Sequence, residues 1–578
     1  GATFIAICSF LPLYLAPASV AEIVKPLFVV LAVSLGLSWI LALCQTTTFG
    51  NFILKEAVPG GAMKDPYDTK LYHKFEKFLT LLIKRRFVTL TTVFVTLVLS
   101  LVIMAVMPQS FFPKMNKPYF RADLVFPEGF SIHAVDQDVM KVEDYLKNHE
   151  KVKSYSVTLG GTPLRYYLAS SSFGPKSNYA NVMVETKDPE DAAEVEQQFY
   201  EHMTQNFPNI ITRSALFALS PVPEAAIEIG FIGENPDTLT ALVERAKKIA
   251  RQCDMVTDIR SNWGDKVPVW KPMFSQQKGL RLGITRQQVA NSFRTATNGL
   301  PLGEYREGDV SLPILLKDED VEKMNLNDVK SVPVFSTKGN SVKVEQVIDN
   351  FALGYDYNVV RRFNRERCMM MQCEPKRGAN TMAAFKQVLT AVQEQMQLPE
   401  GYKMKYFGEQ ETQDVSNAAL AKNIPLTFLL IYVVLLFLFP SNYRKPVLIM
   451  LMLPLVFIGV VWGLLLFGKS LDFFAILGLL GLIGMNIKNA IVLVDEIGLQ
   501  LKDGKGAVPA VVEATKTRIV PVTMASGTTI LGMLPLLGDA MFAGMAATIM
   551  GGLFVSTVLT IFVLPVTYCI FFKIRADR

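Results

Sequence analysis

Lys488 is the residue whose position most clearly indicates chemistry. It lies near the middle of the apolar segment 473–498, which is long enough to cross a membrane. A lysine at the centre of a spanning helix costs about 3 kcal/mol even on lenient insertion scales, so a functional role is expected. Asp495 follows seven residues later, two helical turns on, and is predicted on nearly the same face. Asn489 and Glu496 repeat this spacing on an adjacent strip.

The next apolar segment adds an arginine and several hydroxyls. Arg518 opens the segment 518–537 and is favoured as a functional residue. The hydroxyl residues after it are Thr523, Ser526, Thr528 and Thr529. Hydroxyls can relay protons, but Ser and Thr also hydrogen-bond their own helix or a neighbour, so both interpretations stay open. Glu496 lies near the end of its helix, where solvation is the favoured explanation.

Other motifs give no support for an enzyme. Residues 463–470 match the G-x-x-x-x-G-K-S pattern literally, but a phosphate-binding loop needs a strand before it and a soluble helix after it. The four histidines are dispersed, and neither H-E-x-x-H nor G-x-S-x-G occurs. The net charge of +6 is small, and no stripe of basic and aromatic residues favours nucleic acid as a partner.

The sequence CMMMQC that begins at Cys368 suggests a copper or silver site, because its sulfur atoms are soft ligands. Strand alternation argues against a single site. One face would carry Cys368 and Met370, and the other Met369, Met371 and Cys373. A strand buried on both faces is therefore favoured, and no metal site is predicted.

Aromatic residues cluster in the loop-rich stretch that follows residue 150. They are Tyr155, Tyr166, Tyr167 and Phe173. Amphiphilic molecules could stack on these rings, and we take them as candidate substrate-binding residues. Ordinary packing between subdomains explains them equally well.

Two kinds of segment must position these residues. The chain of 578 residues is 50% hydrophobic and 19% charged, but membrane-like and aqueous segments alternate along it. Stretches of about 20 apolar residues predict membrane crossings. The predicted crossings are 1–15, which is clipped, 25–45, 88–107, 424–439, 447–467, 473–498, 518–537 and 541–572. Between them, residues 108–422 have the mixed charge of an aqueous domain.

Lysines and arginines in the short connections predict the orientation, since positive residues stay on the cytoplasmic side. They concentrate in 46–86, 440–446 and 499–518, so these connections face the cytoplasm and 108–422 faces outward. Within 46–87, apolar residues recur at helical spacing among lysines. This pattern predicts an amphipathic helix that lies on the membrane surface and contacts lipid. Glycines and alanines of the last helices are expected to allow close helix contacts.

The aqueous region contains repeated strand–helix–strand patterns. Two such rounds indicate split-βαβ, ferredoxin-like subdomains. Short strands with polar turns between 300 and 375 indicate a smaller β-rich module.

Several motifs resemble those of one transporter family. They are GLIGMNIKNAIVLVDEI around Lys488, EATKTRIVPVTMASGTTILGMLPL around Arg518, and FFPKMNKPYF after the third crossing. The chain closely resembles resistance-nodulation-division (RND) permeases, and the hydrophobe/amphiphile efflux branch fits best. The resemblance implies a proton antiporter of the bacterial inner membrane that exports amphiphilic small molecules. It also implies a homotrimer, a periplasmic adaptor, an outer-membrane channel, and no cofactor beyond the proton motive force.

The fold implied is a polytopic α-helical membrane protein. It has a large periplasmic α+β insertion of ferredoxin-like subdomains and a small β-rich docking subdomain. The expected division is 1–45 for the last two helices of an N-terminal repeat, 46–87 for a cytoplasmic linker, 88–107 for a transmembrane helix, 108–299 for porter subdomains, 300–375 for the docking subdomain, 376–422 for a return to the porter, 423–572 for five transmembrane helices and 573–578 for a cytoplasmic tail. The chain is thus expected to be the C-terminal half of such a permease.

The resemblance also assigns roles to residues. Lys488 matches the family's relay lysine, Asp495 its acidic residue two turns below, and Arg518 its arginine on the next helix. Asn489, Thr523 and Thr528 complete the predicted proton relay. The family's hydroxyl is missing at Ala525, and its two aspartate partners of the lysine belong to a first half that this sequence does not contain.

Two other functions are alternatives to the export of amphiphilic molecules. A heavy-metal exporter of the same superfamily would need methionines that line a cleft of the porter. A non-transporting membrane scaffold from a truncated gene is the alternative from a different class.

Overall fold

The computed structural model describes residues 1–15, 19–53, 67, 69–110, 116–165, 175–217, 224–318, 328–336, 339–440, 442–539 and 541–574. The chain divides into two compact units. One is formed by Gly1–Asn262 together with Arg362–Arg578, and the other by Trp263–Arg361.

The chain begins with helices. They are α1 (Ala2–Ser9), α2 (Leu11–Leu15), α3 (Ser19–Ile53), α4 (Lys70–Lys84) and α5 (Arg86–Val106). In α4 the apolar stripe places Phe75, Leu79 and Ile83 in the same core as the last helices of the chain, and the ring of Phe75 contacts that of Phe562. The apolar face of α4, the helix predicted on the membrane surface, therefore packs against the helical bundle.

The first aqueous subdomain is built around a four-stranded sheet. Its elements are β1 (Tyr119–Val125), α6 (Ile132–Lys147), β2 (Val152–Leu159), β3 (Tyr179–Thr186), α7 (Ala192–Asn206) and β4 (Ile211–Leu216). The strand order is β2-β3-β1-β4, and all neighbours are antiparallel. Because apolar residues alternate along β1, Phe120, Ala122 and Leu124 point into a core shared with α6 and α7. This arrangement is the predicted ferredoxin-like subdomain.

The second aqueous subdomain begins with β5 (Ile227–Ile232), α8 (Pro236–Ala250) and β6 (Val256–Ser261). The chain then enters the separate unit Trp263–Arg361. The elements of that unit are β7 (Lys266–Phe274), α9 (Gln276–Leu282), α10 (Arg286–Thr295), β8 (Leu300–Glu307), β9 (Val310–Leu316), α11 (Asp328–Ser331), β10 (Pro333–Phe335), β11 (Ser341–Lys343) and β12 (Ile348–Tyr357). Its strands pair as three antiparallel ribbons, β7 with β12, β8 with β9 and β10 with β11.

The second subdomain is completed after this insertion. The closing elements are β13 (Arg362–Phe363), β14 (Glu366–Pro375), α12 (Thr381–Gln395) and β15 (Lys403–Phe407). Strand β14 lies between β6 and β5, and β5 pairs with β15, which repeats the order of the first sheet. The β-rich unit therefore spans Trp263–Arg361 rather than 300–375, because its first strand precedes residue 300 and β14 belongs to the porter-like sheet.

The CMMMQC sequence forms the centre of β14 and pairs with β5 along its whole length. Cys368 and Met369 are each 1% exposed, and Met371 and Cys373 are fully buried. The predicted strand with two buried faces is thereby confirmed.

The remaining helices form the bundle. They are α13 (Gly408–Leu438), α14 (Arg444–Leu451), α15 (Val456–Leu466), α16 (Phe473–Lys502), α17 (Ala507–Met533) and α18 (Ala543–Phe571). Among the described residues, seven helical stretches are long and apolar enough to cross a membrane, and Ala2–Leu15 is a shorter apolar one. Each corresponds to a predicted crossing. Several begin earlier than the apolar runs, since a helix continues through polar residues outside the hydrocarbon.

Small residues set the closest helix contacts, as predicted. A Cβ atom on Gly463 would lie 2.8 Å from the Cα of Gly551, which joins α15 to α18. A Cβ on Gly484 would lie 2.9 Å from the Cα of Ala6, which joins α16 to α1. These distances allow only glycine without movement of the backbone.

Candidate functional site

Helix α16 carries the candidate chemistry. Its start is fixed by Asp472, whose carboxylate accepts a hydrogen bond of 2.7 Å from the backbone N–H of Ala475. The helix runs from there to Lys502, so Lys488 is at its midpoint. Apolar residues and glycines bury most of its surface against α1, α17 and α18.

Lys488 and Asp495 both have exposed side chains in this chain. Seven residues at 100° each return to nearly the same direction, so the two groups lie on one open strip of α16. The spacing predicted this shared face, and the structure confirms it. Both ionisable groups therefore face away from the bundle core of this chain.

The residues that directly follow them point inward instead. Asn489 is 7% exposed, and its Nδ2 donates a hydrogen bond of 3.3 Å to Oγ of Ser526 on α17. The hydroxyl of Thr557 on α18 donates to the same Oγ at 2.6 Å. Three helices therefore meet at one buried hydroxyl.

Glu496 is 8% exposed and binds the guanidinium of Arg518. Nε and Nη2 of Arg518 lie 3.1 and 2.6 Å from Oε2, and Nε2 of Gln500 donates to Oε1 at 2.9 Å. The prediction that solvation explains Glu496 is wrong. A residue near the end of a helix can still be buried when the next helix packs against it.

The predicted relay residues on α17 are divided by the structure. Arg518 contacts Glu496, whereas Thr523 and Thr528 are exposed. The Thr528 hydroxyl donates to the backbone carbonyl of Ala525 at 3.0 Å, the local bond that was the alternative to a relay. Ser526, one of the four hydroxyl residues noted in the sequence, is the one that joins the helices.

The role of Thr557 and the ion pair between Glu496 and Arg518 were not predicted. The sequence does contain a signal for the ion pair, because Asn489 and Glu496 are seven residues apart while Ser526 and Arg518 are eight apart. On antiparallel neighbouring helices these spacings place both pairs in register.

Tyr155 lies in β2 opposite Val184 and packs, partly buried, against the core of the first sheet. This position is the packing alternative rather than an open pocket. Tyr166, Tyr167 and Phe173 lie outside the described residues.

A further charged contact joins the two aqueous subdomains. Glu196 on α7 is 7% exposed, and Arg377 after β14 holds both of its oxygens, with Nη1–Oε2 and Nη2–Oε1 distances of 2.5 and 2.6 Å. Arg377 also donates to the Ser214 hydroxyl at 2.9 Å and lies 4.3 Å from the Tyr200 ring centre. Such a bidentate, stacked arginine fixes geometry as well as charge.

Glu228 on β5 is a buried carboxyl within a hydrogen-bonding network. It is 8% exposed, and its Oε1 accepts from Nε2 of Gln372 at 2.8 Å and from the Ala225 N–H at 3.2 Å. Burial raises its pKa to about 7. Burial also raises the pKa of Glu409, at the start of α13, to about 6.

Comparison with curated proteins gives relatives with different described functions. The chain is 22% identical over 597 residues to the swarming motility protein SwrC of Bacillus subtilis, with 100% of this chain and 55% of SwrC covered. It is 24% identical to the multidrug export protein AcrF of Escherichia coli, with 80% and 46% covered. It is 27% identical to the nickel and cobalt resistance protein CnrA of Cupriavidus metallidurans, with 60% and 33% covered.

A crystal structure of a heavy metal efflux pump shares the fold, with a TM-score of 0.77 and 18% identity over 98% of this chain and 57% of that one. The chain thus spans about half the length of the full-length relatives it matches. The sequence model described as the AcrB/AcrD/AcrF family matches residues 1–572. With nearly every residue covered by that match, the chain belongs to the AcrB/AcrD/AcrF family of RND efflux permeases.

Proposed function

We propose that this chain forms part of a proton-driven efflux permease of the bacterial inner membrane that exports amphiphilic small molecules. The observation that carries the proposal is Lys488, at the midpoint of a membrane-spanning helix and on the same open strip as Asp495. A cation at that depth costs several kcal/mol unless an anion faces it, so the strip needs a carboxylate partner in the assembled transporter.

Proton binding provides the switch. An ionised carboxylate opposite Lys488 attracts its ammonium group, and protonation of that carboxylate removes the attraction. Each state favours a different position of α16, so proton entry and release drive a cycle between two arrangements of the bundle. Lys488 acts as the pairing cation, and Asp495 supplies a second acidic group on the cytoplasmic side of it.

The aqueous domain can follow these movements because α13 connects it directly to the bundle. Strand β15 ends at Phe407, and α13 begins at Gly408 and continues without interruption to Leu438. A continuous helix transmits displacement, whereas a flexible linker would absorb it. By the family resemblance, the transporter assembles as a homotrimer with a periplasmic adaptor and an outer-membrane channel.

A heavy-metal substrate is the second candidate, and the names of relatives such as CnrA favour it. The soft sulfur ligands of CMMMQC do not support it, because Cys368, Met369, Met371 and Cys373 are enclosed in the subdomain core. A donor set that the cargo cannot reach cannot select it. We therefore favour amphiphiles.

Dye export from cells by the intact transporter, or dye uptake into inverted membrane vesicles, tests the proposal. Lys488→Ala should abolish export of a cationic dye driven by an imposed pH gradient, whereas Lys502→Ala, at the exposed cytoplasmic end of the same helix, should not. Full dye export by Lys488→Ala would refute the role of the lysine. Protection against nickel or cobalt with no dye export would refute the amphiphile assignment in favour of the metal.

A further inference from the structure

On the basis of the proposed function, we infer that Asn489 and Glu496 are positioning residues. Their bonds to α17 fix the rotation of α16 about its axis and thereby set the direction in which Lys488 and Asp495 point. Asn489 then positions α16 instead of relaying protons, and Glu496 has a role that the sequence patterns did not favour.

Outward and inward polar residues are paired along α16. Lys488 is followed directly by Asn489, and Asp495 directly by Glu496. Consecutive helical residues differ in direction by about 100°, so each outward ionisable group has an inward polar neighbour at a fixed angle. Any rotation that moved Lys488 would have to move Asn489 by the same angle.

The inward residues of α16 make strong polar contacts. Glu496 receives two N–H groups from Arg518 on a single oxygen and one from Gln500 on the other. Asn489 shares the buried Ser526 hydroxyl with Thr557 of α18. Charge-assisted bonds with buried acceptors resist rotation more than apolar contacts, which can slide.

The two inward contacts lie well apart along α16. Seven residues separate Asn489 from Glu496, which is about 10 Å along the helix axis. One contact alone would allow α16 to pivot around it. Two contacts on the same strip, to the same neighbouring helix, hold both the rotation and the tilt of the segment that carries Lys488 and Asp495.

Arg518 also has a different role from the predicted proton relay. Its guanidinium is occupied by Glu496, so its contribution is to hold that carboxylate rather than to carry a proton between helices. An arginine is suited to this task, since it stays charged at all physiological pH values.

Exchange of the two charges in the intact transporter tests the inference. Glu496→Gln and Arg518→Gln should each lower dye export by about 10- to 100-fold, as a shift of about 1 Å in a reacting group does, and change its pH profile. The combined Glu496→Arg and Arg518→Glu variant should recover most of the export and the original profile. Glu513→Gln, whose carboxylate pairs with Lys516 within α17, is the matched control and should match the unmodified protein.

A labelling experiment separates this inference from the proposed function. In a Cys44→Ser background, which removes the exposed cysteine among the described residues, Lys488→Cys reports the direction of position 488 through its rate of reaction with a maleimide. Glu496→Gln should change this rate at least about threefold, and the charge exchange should reverse the change. An unchanged rate, or a charge exchange that restores neither rate nor export in correctly inserted protein, overturns the positioning role. Dye export by Lys488→Ala would instead overturn the proposed function alone.

Discussion

The contact between α15 and α18 gives a prediction whose sign depends on backbone distances. Gly551→Ala should destabilise the helical bundle, although alanine is the better helix former. A Cβ on residue 551 would lie 2.7 Å from the carbonyl oxygen of Gly459 and 3.0 Å from the nitrogen of Gly463. Both are backbone atoms, so no side-chain rotation can relieve the overlap and the helices must separate.

The magnitude follows from two opposing effects. Ordinary contacts begin near 3.4 Å, so the helix axes must move apart by roughly 0.5–1 Å, and overpacking of this kind costs about 1–3 kcal/mol. Replacement of glycine by alanine within a helix returns at most about 1 kcal/mol. We therefore expect a net loss of up to about 2 kcal/mol. Alanine at Gly463 should behave in the same way, because its Cβ would lie 2.7 Å from the carbonyl oxygen of Ala547.

Thermal unfolding in detergent, followed by helical circular dichroism, measures this effect. Gly527→Ala on α17 is the matched control, because no heavy atom of the described residues lies within 4 Å of its Cβ position apart from its chain neighbours and its own helix backbone. The control should be neutral or slightly stabilising. Gly551→Ala should therefore lower the unfolding temperature, and Gly527→Ala should not. If Gly551→Ala were as stable as Gly527→Ala, close approach of the two backbones would not hold the bundle together.

Two further predictions concern the aqueous domain. Since Glu228 has a pKa of about 7 in the folded protein against 4.5 when unperturbed, its stabilising effect is complete below pH 4.5 and is lost as pH rises towards 7, a change of about 3 kcal/mol. Glu228→Gln should remove this decline in urea unfolding between pH 5 and 8, whereas Glu366→Gln, an exposed carboxyl on β14, should retain it. For the contact between subdomains, a double-mutant cycle of Glu196→Gln and Arg377→Ala should give a coupling of about 1–3 kcal/mol, clearly larger than that of the exposed Lys153–Glu185 pair. Equal couplings would show that Glu196 and Arg377 contribute no more than a surface pair.

Membrane helices and both ferredoxin-like sheets could be predicted because their signals are local. About 20 apolar residues identify a span by themselves, and alternation in β1 identifies its buried face without reference to other strands. Membership of a sheet is not local. Strand β14 lies close in sequence to the β-rich unit, yet it pairs with β5 and β6, more than 100 residues earlier. Both predicted boundaries of the β-rich module, 300 and 375, therefore lie too late in the sequence.

The site shows the same division. Periodicity along one helix placed Lys488 and Asp495 on a common face, and it also recorded Asn489 and Glu496. What it could not give was the register between α16 and α17, which decides that Glu496 meets Arg518 and that Ser526, rather than Thr523 or Thr528, lies inside. Polar residues near a helix end have two interpretations, and only the neighbouring helix distinguishes them.

The two polar strips of α16 have opposite requirements, and this difference connects packing to function. The polar groups of the inward strip have partners within the chain. Glu496 forms an ion pair with Arg518, and Asn489 donates a hydrogen bond to Ser526. The outward strip presents a cation and an acid to a surface where hydrocarbon would penalise both. A helix that satisfies one strip permanently can leave the other to a partner whose charge changes with protonation. Under the proposed function, fixed bonds on one side and titratable bonds on the other would let proton binding move α16 relative to its partner.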